Sequence, residues 1–349
     1  MSSIPQLQTE SQPICIPQSS SPARAVIIGA GAVGSHLAAS LRQGVLMLIV
    51  DPNKQVRAAF ENRGVEAASM PMCTDSSTRQ QPGFFRPGDV AILTTSASVA
   101  ASATGAVPRW VPIVCLSNGV IPELASARAG ALSYGVVEFA VSTHGPGLSD
   151  STKPGWLTLQ RQSPGDATAW LAASLNPRLQ RARLTDHIEA HRHSKLILNS
   201  SLDPVAAIIG GSIGDVFRGR ESFHAFRLLL GEGLAVARAG GWRLRAVQGV
   251  RPDLMSIIFG TPLVGLLASK LAGRQASAVT STLAREVHRG ELGEAEYLSG
   301  AIALEGARLG VPTPMHIKAM ILLRRMAATP ASGTRRDRAM ELIGSKDGA

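Results

Sequence analysis

The sequence predicts an α/β fold: a doubly wound, mainly parallel sheet in the N-terminal half, followed by an all-helical domain. Three features point there. A β-branched run from Ala25 to Ile28 opens into a glycine-rich turn and an amphipathic segment. Later apolar runs, Gly88 to Thr95 and Val111 to Leu116, end in small polar residues, as buried parallel strands do. Beyond Arg183 the period changes to that of long helices, beginning with Asp186 to Ile209. At 349 residues the chain is long enough for two domains with separate cores. The boundaries read as a disordered Ser/Gln/Pro-rich tail over 1–22, the sheet domain over 23–183, the helical domain over 184–330 and a polar tail over 331–349.

The glycine turn is Gly29-Ala30-Gly31-Ala32-Val33-Gly34, with a helix expected from Ser35 to Arg42. Gly29 permits the tight turn, Gly31 lets the backbone approach a pyrophosphate, and Gly34 lets helix pack on strand. The following strand, Val45 to Val50, ends in Asp51, near the spacing at which an acid binds an adenosine ribose. Strand, turn, helix and acid together are the fingerprint of a dinucleotide-binding Rossmann domain. In such sheets ligands lie beyond the carboxyl ends of the strands, which brings Thr95, Ser96 and Asn118 forward as cofactor contacts and Asn118 also as a substrate contact. Asn118-Gly119 is equally a turn former. A β-rich stretch from Tyr134 to Leu159 closes the sheet domain.

On the Asp186 to Ile209 helix, Lys195, Asn199 and Asp203 stand at i, i+4 and i+8, one narrow stripe through an otherwise apolar segment. A buried lysine must face a charge, a ligand or a wet cleft. The stripe therefore lines a catalytic cleft, or Lys195 and Asp203 form an ion pair that only orders the domain. Pro204 removes a helix hydrogen bond and is expected to kink the helix beside that stripe.

Composition excludes several classes. Hydrophobic residues make up 45% and charged residues 17%, a globular profile. No apolar run approaches the roughly 20 residues of a membrane span, and no signal peptide opens the chain, so a soluble protein without a membrane partner is expected. The net charge of +10 is spread along the chain and aromatics are only 4%, which argues against nucleic acid. Cys15, Cys73 and Cys115 have no metal-ligand spacing and suit a reducing compartment, hence the cytoplasm. His187, His191 and His193 lack a paired carboxylate pattern; no metal is expected, and they read as surface residues at a domain hinge.

The segment Lys195-Leu196-Ile197-Leu198-Asn199, followed by Asp203-Pro204-Val205-Ala206-Ala207-Ile208, resembles the lysine helix of the ketopantoate (2-dehydropantoate) reductase family. A second stretch agrees: Ser281-Thr282-Leu283, then Gly290 to Gly300 with Glu294, Tyr297 and Leu298, then Ala307 to Pro314. With Gly29 to Gly34 and Ser117-Asn118-Gly119 the resemblance covers about residues 24 to 328. It implies an NAD(P)H-dependent reduction of a 2-keto acid to a 2-hydroxy acid. It also makes Lys195 the general acid, Glu294 its catalytic companion, and Asn118, Asn199 and Ser281 substrate contacts. Glu291, Glu294 and Glu296 could instead be a solvated helix face.

This chain departs from the family at three places. Asp203 stands where the family usually has asparagine, which makes the substrate the open question. Ser96 stands where a lysine commonly follows the third strand. Asp51-Pro52-Asn53-Lys54 stands where many members carry a basic residue for the 2'-phosphate, so NAD(H) is favoured over NADP(H). The apolar Arg251 to Arg274 segment lines a pocket or forms a subunit contact, and a homodimer is the expected assembly. Two other readings stand beside the reductase: the same fold acting on another keto compound or an imine, and a nucleotide sensor without turnover.

Overall fold

A computed structural model describes residues 24–70, 83–121, 124, 131–276, 281–329 and 333–344. The N-terminal tail, Cys15 and Cys73 lie outside the described residues. The sheet domain begins β1 (Arg24–Ile28), α1 (Ala32–Ser40), β2 (Met47–Val50), α2 (Lys54–Glu61), β3 (Glu66–Ala68), β4 (Asp89–Leu93), α3 (Ala97–Ala106) and β5 (Ile113–Cys115). It continues with β6 (Leu132–Val137), a hairpin of β7 (Ala140–Gly145) and β8 (Leu148–Lys153), then β9 (Trp156–Gln160) and β10 (Arg181–Thr185).

Eight strands form one sheet in the order β10-β9-β6-β5-β4-β1-β2-β3. Its first six strands by sequence lie 3-2-1-4-5-6, the Rossmann order, and the switch point falls between β1 and β4. The pairings are parallel except that of β6 with β9. Both faces are covered. Ala25 and Ile27 pack into one apolar layer while Val26 and Ile28 pack into the other, so β1 reads as an unbroken apolar run.

Several boundaries move from the sequence reading. The first helix begins at Ala32, inside the glycine motif, and not at Ser35. The β-rich stretch splits: β7 and β8 pair only with each other, while β9 and β10 extend the main sheet. β10 runs to Thr185, two residues past the expected boundary at 183.

The helical domain packs around helix Ile188–Ile209, continuous despite Pro204 and closed by Gly210 in the left-handed conformation. Leu196, Ile197 and Val205 point into a core with Phe226, Leu229 and Leu283. The expected polar tail over 331–349 is corrected for Arg335–Ile343, which is a helix with a Thr334/Asp337 capping box. It buries Ala339 and Leu342, and Arg338 donates to the Ile209 carbonyl at 2.6 Å, occupying one of the free carbonyls at the end of the central helix.

Candidate active site

The nucleotide side is built around β1. Gly29 has φ +91° and lies against Thr95, where a β-carbon would come within 2.8 Å of the Thr95 methyl. Gly34 is tighter still, because a β-carbon there would strike the Gly29 carbonyl. Gly31 is the opposite case: a β-carbon would meet nothing within 4 Å, so the turn opens onto free space at the head of α1. No side chain caps that helix, whose first N–H groups are thus available to an anion. Asp51, at the end of β2, is buried and accepts the Ala30 N–H and the Asn53 N–H, each at 2.8 Å. It braces the glycine turn; a ribose diol would use its remaining lone pairs. Arg57 donates to the carbonyls of Asp51 and Pro52. The Thr95 hydroxyl is buried without a partner among the described residues, a spare polar group beside the glycine turn. Ser96 precedes α3 and its hydroxyl meets Ser98 at 3.0 Å. An uncapped helix head, an open glycine and an orphan hydroxyl fit a dinucleotide.

Ser117-Asn118-Gly119 follows β5. Ser117 donates to the Thr95 carbonyl at 2.9 Å, tying the ends of β4 and β5. Gly119 has φ +83° and sits under the Tyr297 carbonyl, where a β-carbon would come within 2.4 Å. The dipeptide is thus a turn, as its type suggests, and one that seats the sheet domain on the segment Glu296–Gly300 of the helical domain. Across that seam Asn118 favours the ionised form of the Glu294 carboxyl.

Lys195 is partly buried and donates to the carbonyl of Val137, the last residue of β6, at 2.8 Å. Burial pulls its pKa down to about 8, against Glu294, Glu138 and Asp203, whose charges raise it. Asp203 is pushed up to about 6 by burial, opposed by Ser281 and Lys195. Glu294 is pushed up to about 7, first by burial and then by Glu286 and Asp203, with Asn118 and Lys195 pulling the other way. The Ser281 hydroxyl favours the Asp203 anion yet makes no hydrogen bond of full geometry, leaving it spare for another partner. Asn199 lies partly buried one turn from Lys195. Asn118, Lys195, Asp203, Ser281 and Glu294 therefore form one electrostatically linked group drawn from both domains.

The glutamate ambiguity resolves by position. Glu291 and Glu296 are exposed and pair with Arg289 and Arg324, whereas Glu294 is buried. His191 is also buried, and His193 stacks on Trp242 at 4.0 Å, so neither is the surface residue expected at the hinge. Among the described residues no group of His, Cys, Asp and Glu could hold a metal ion. No helix of the described residues is long and apolar enough to cross a membrane.

Two buried carboxyls escaped the sequence reading. Glu286 accepts the Glu294 N–H at 2.9 Å and is itself pushed up by burial. Glu138 is 3% exposed and follows Val137 directly. The signal for Glu138 was available: a lone charge in the run Val136-Val137-Glu138-Phe139-Ala140. Glu286 carried none, since its helix also bears Arg285 and Arg289 and reads as solvated.

Two family models match. Residues 25–164 match "Ketopantoate reductase PanE/ApbA" and residues 187–327 match "Ketopantoate reductase PanE/ApbA C terminal". The chain is 25% identical over 320 residues to a 2-dehydropantoate 2-reductase of Archaeoglobus fulgidus, covering 86% of this chain and 97% of the relative. It is 22% identical over 311 residues to one from Streptococcus pyogenes, covering 82% and 92%. Among solved structures, D-mandelate dehydrogenase with NADH and anilino(oxo)acetate superposes with TM-score 0.67 at 18% identity, covering 87% of this chain and 99% of that one. A PanE/ApbA family ketopantoate reductase from Ralstonia eutropha superposes with TM-score 0.66 at 24% identity, covering 87% and 98%.

Proposed function

Because the chain belongs to the ketopantoate reductase PanE/ApbA family, an NAD(P)-dependent oxidoreductase family, we propose that it reduces a 2-keto acid to a 2-hydroxy acid with Lys195 as general acid. The observation that carries this is the seat of Lys195: an amine held on the Val137 carbonyl at the sheet's carboxyl edge and linked electrostatically to the buried Glu294. When bound, the reduced nicotinamide supplies the hydride. The backbone of Gly29 to Gly34 would hold the pyrophosphate and Asp51 the ribose; with a carboxylate there, NAD(H) is the favoured cofactor and NADP(H) the alternative.

The chain's own residues handle the proton. Lys195, as ammonium below about pH 8, points a positive charge and a proton at the carbonyl oxygen where negative charge develops. Glu294, pushed up to about 7 and electrostatically coupled to Lys195, would return the proton after turnover. Asn118, Asn199 and Ser281 would orient the substrate. Asp203 puts a further carboxyl where the substrate's own carboxylate would approach, which favours 2-keto acids that also carry a donor or a cation. A small-molecule substrate is thus the main partner, with neither nucleic acid nor membrane, and a cytoplasmic setting suits the free, buried Cys115.

A dimeric ketopantoate reductase from Staphylococcus aureus superposes with TM-score 0.61 at 16% identity. A homodimer is the reading favoured here too, through the exposed apolar residues of helices Pro252–Gly260 and Pro262–Gln275, among them Ile257, Leu267 and Leu271. The decisive experiment is a screen of 2-keto acids with NADH and with NADPH, followed at the nicotinamide absorbance band. Turnover of at least one keto acid, lost in Lys195→Ala, is expected; nucleotide binding without turnover of any would favour the sensor.

A further inference from the structure

We propose that Glu138 is a positioning residue for Lys195, fastening the lysine's helix to the sheet and adding a negative charge that favours the ammonium. The proposal goes beyond the reading of Lys195 as general acid and rests on it for its kinetic consequence. Val137 and Glu138 are consecutive. The first accepts the lysine's hydrogen bond through its carbonyl at 2.8 Å, and the charge of the second acts on the amine through space.

Four groups from four parts of the chain converge on that carboxylate. Thr158 of β9 donates its hydroxyl, and Arg183 of β10 donates at 2.8 Å. The Gln248 N–H arrives at 3.1 Å from the loop before helix Pro252–Gly260, and His191 Nδ1, on the lysine helix itself, lies at 3.6 Å. Gln248 holds φ +53°, a left-handed conformation rare for a residue with a side chain, and its N–H is bound to Glu138. Val247 beside it packs with Val136 and with Ile188 and Leu198 of the lysine helix. Glu138 is thus the polar centre of an apolar seam between sheet, lysine helix and loop.

The charges around the pair are unequal. Lys195 faces Glu294 and Asp203 besides Glu138. Glu294 and Asp203 titrate at about 7 and about 6, so what they offer the lysine fades as pH falls. Glu138 is instead held by the Arg183 guanidinium at 2.8 Å. His191 is held below its ordinary value, by burial first and then by Arg183, Arg245 and His187 against the pull of Glu138.

The test measures the lysine directly. Full-length protein is acetylated with acetic anhydride across a pH series and Lys195 is quantified by mass spectrometry, alongside kcat/KM against pH. Removing an opposite charge at this range shifts a pKa by roughly one unit. Glu138→Gln should therefore make Lys195 about fivefold more reactive at pH 7 and move the alkaline limb of kcat/KM downward by about one pH unit. Glu138→Asp should restore both. Arg183→Gln, which unmasks the carboxylate, should shift both in the opposite direction, and it decides the matter if Glu138→Gln melts below the assay temperature. An unmoved labelling profile in folded Glu138→Gln, or the same direction of shift for Arg183→Gln, would overturn the proposal. A labelling profile that moves while the kcat/KM limb stays put supports Glu138 and refutes Lys195 as the acid.

Discussion

Asp203→Asn is the most informative substitution in the cleft, because two opposing effects can be worked out from one pKa. Burial lifts Asp203 from 3.8 to about 6, so folding favours its neutral form. The folded chain binds more protons than the unfolded one between those values. Stability from this group is therefore full below pH 3.8 and lost as pH rises through 6. Above that, the ionised carboxylate costs up to about 3 kcal/mol, at 1.36 kcal/mol for each unit. Asp203 is only partly buried, so solvent screening should leave about 1–2 kcal/mol. Asn cannot ionise. The variant should melt higher than the parent at pH 8, by roughly 2–4 °C for each kcal/mol; the gap should fall to about half at pH 5 and close below pH 3.8. Kinetically, losing a negative charge beside an anionic substrate should lower KM for ketopantoate by a factor of about 5–30, the equivalent of 1–2 kcal/mol. The same loss withdraws support from the Lys195 ammonium, so kcat should fall earlier on the alkaline side. Thermal melts at both pH values and a full kinetic profile measure all three. A variant less stable than its parent at pH 8, or an equal difference at pH 5 and pH 8, would show that the Asp203–Lys195 contact stabilises the fold and that the reasoning is wrong.

Lys195→Ala should reduce kcat at least ~10²-fold while leaving nucleotide affinity, followed by fluorescence titration, nearly unchanged. NADH should have the larger specificity constant, since Asp51 repels a 2'-phosphate; a clear preference for NADPH would instead assign that phosphate to Arg57 or Lys54. Leu267, 69% exposed, sits on the apolar face of helix Pro262–Gln275, and Leu267→Asp should convert a dimer to a monomer in sedimentation analysis. A parent that is already monomeric would remove that face as the contact.

The sheet domain was legible because its strands are buried on both faces and bounded by glycine turns. A continuous apolar run leading into Gly29 to Gly34 has few other solutions. The lysine stripe was legible for a related reason: helix geometry aligns Lys195 and Asp203 whatever surrounds them. Long-range pairing was harder. Nothing local to Arg181–Thr185 says that it pairs with β9, because that choice is made by the packing of residues far apart in sequence. The C-terminal helix was missed although Thr334 and Asp337 spell a capping box; its arginines masked the spacing of Ala339 and Leu342. Glu138 was missed because its meaning lies in Arg183, Gln248 and His191, none of them neighbours along the chain.

The resting partner of Lys195 is a main-chain oxygen, and that separates two properties that evolution can change independently. Where the amine rests is set by the course of β6, which no single side-chain replacement deletes. How acidic it is depends on Glu138, Asp203 and Glu294, each replaceable by one codon. Divergent chains built on this scaffold can therefore retune the proton donor for substrates of different charge while its address in the cleft stays constant.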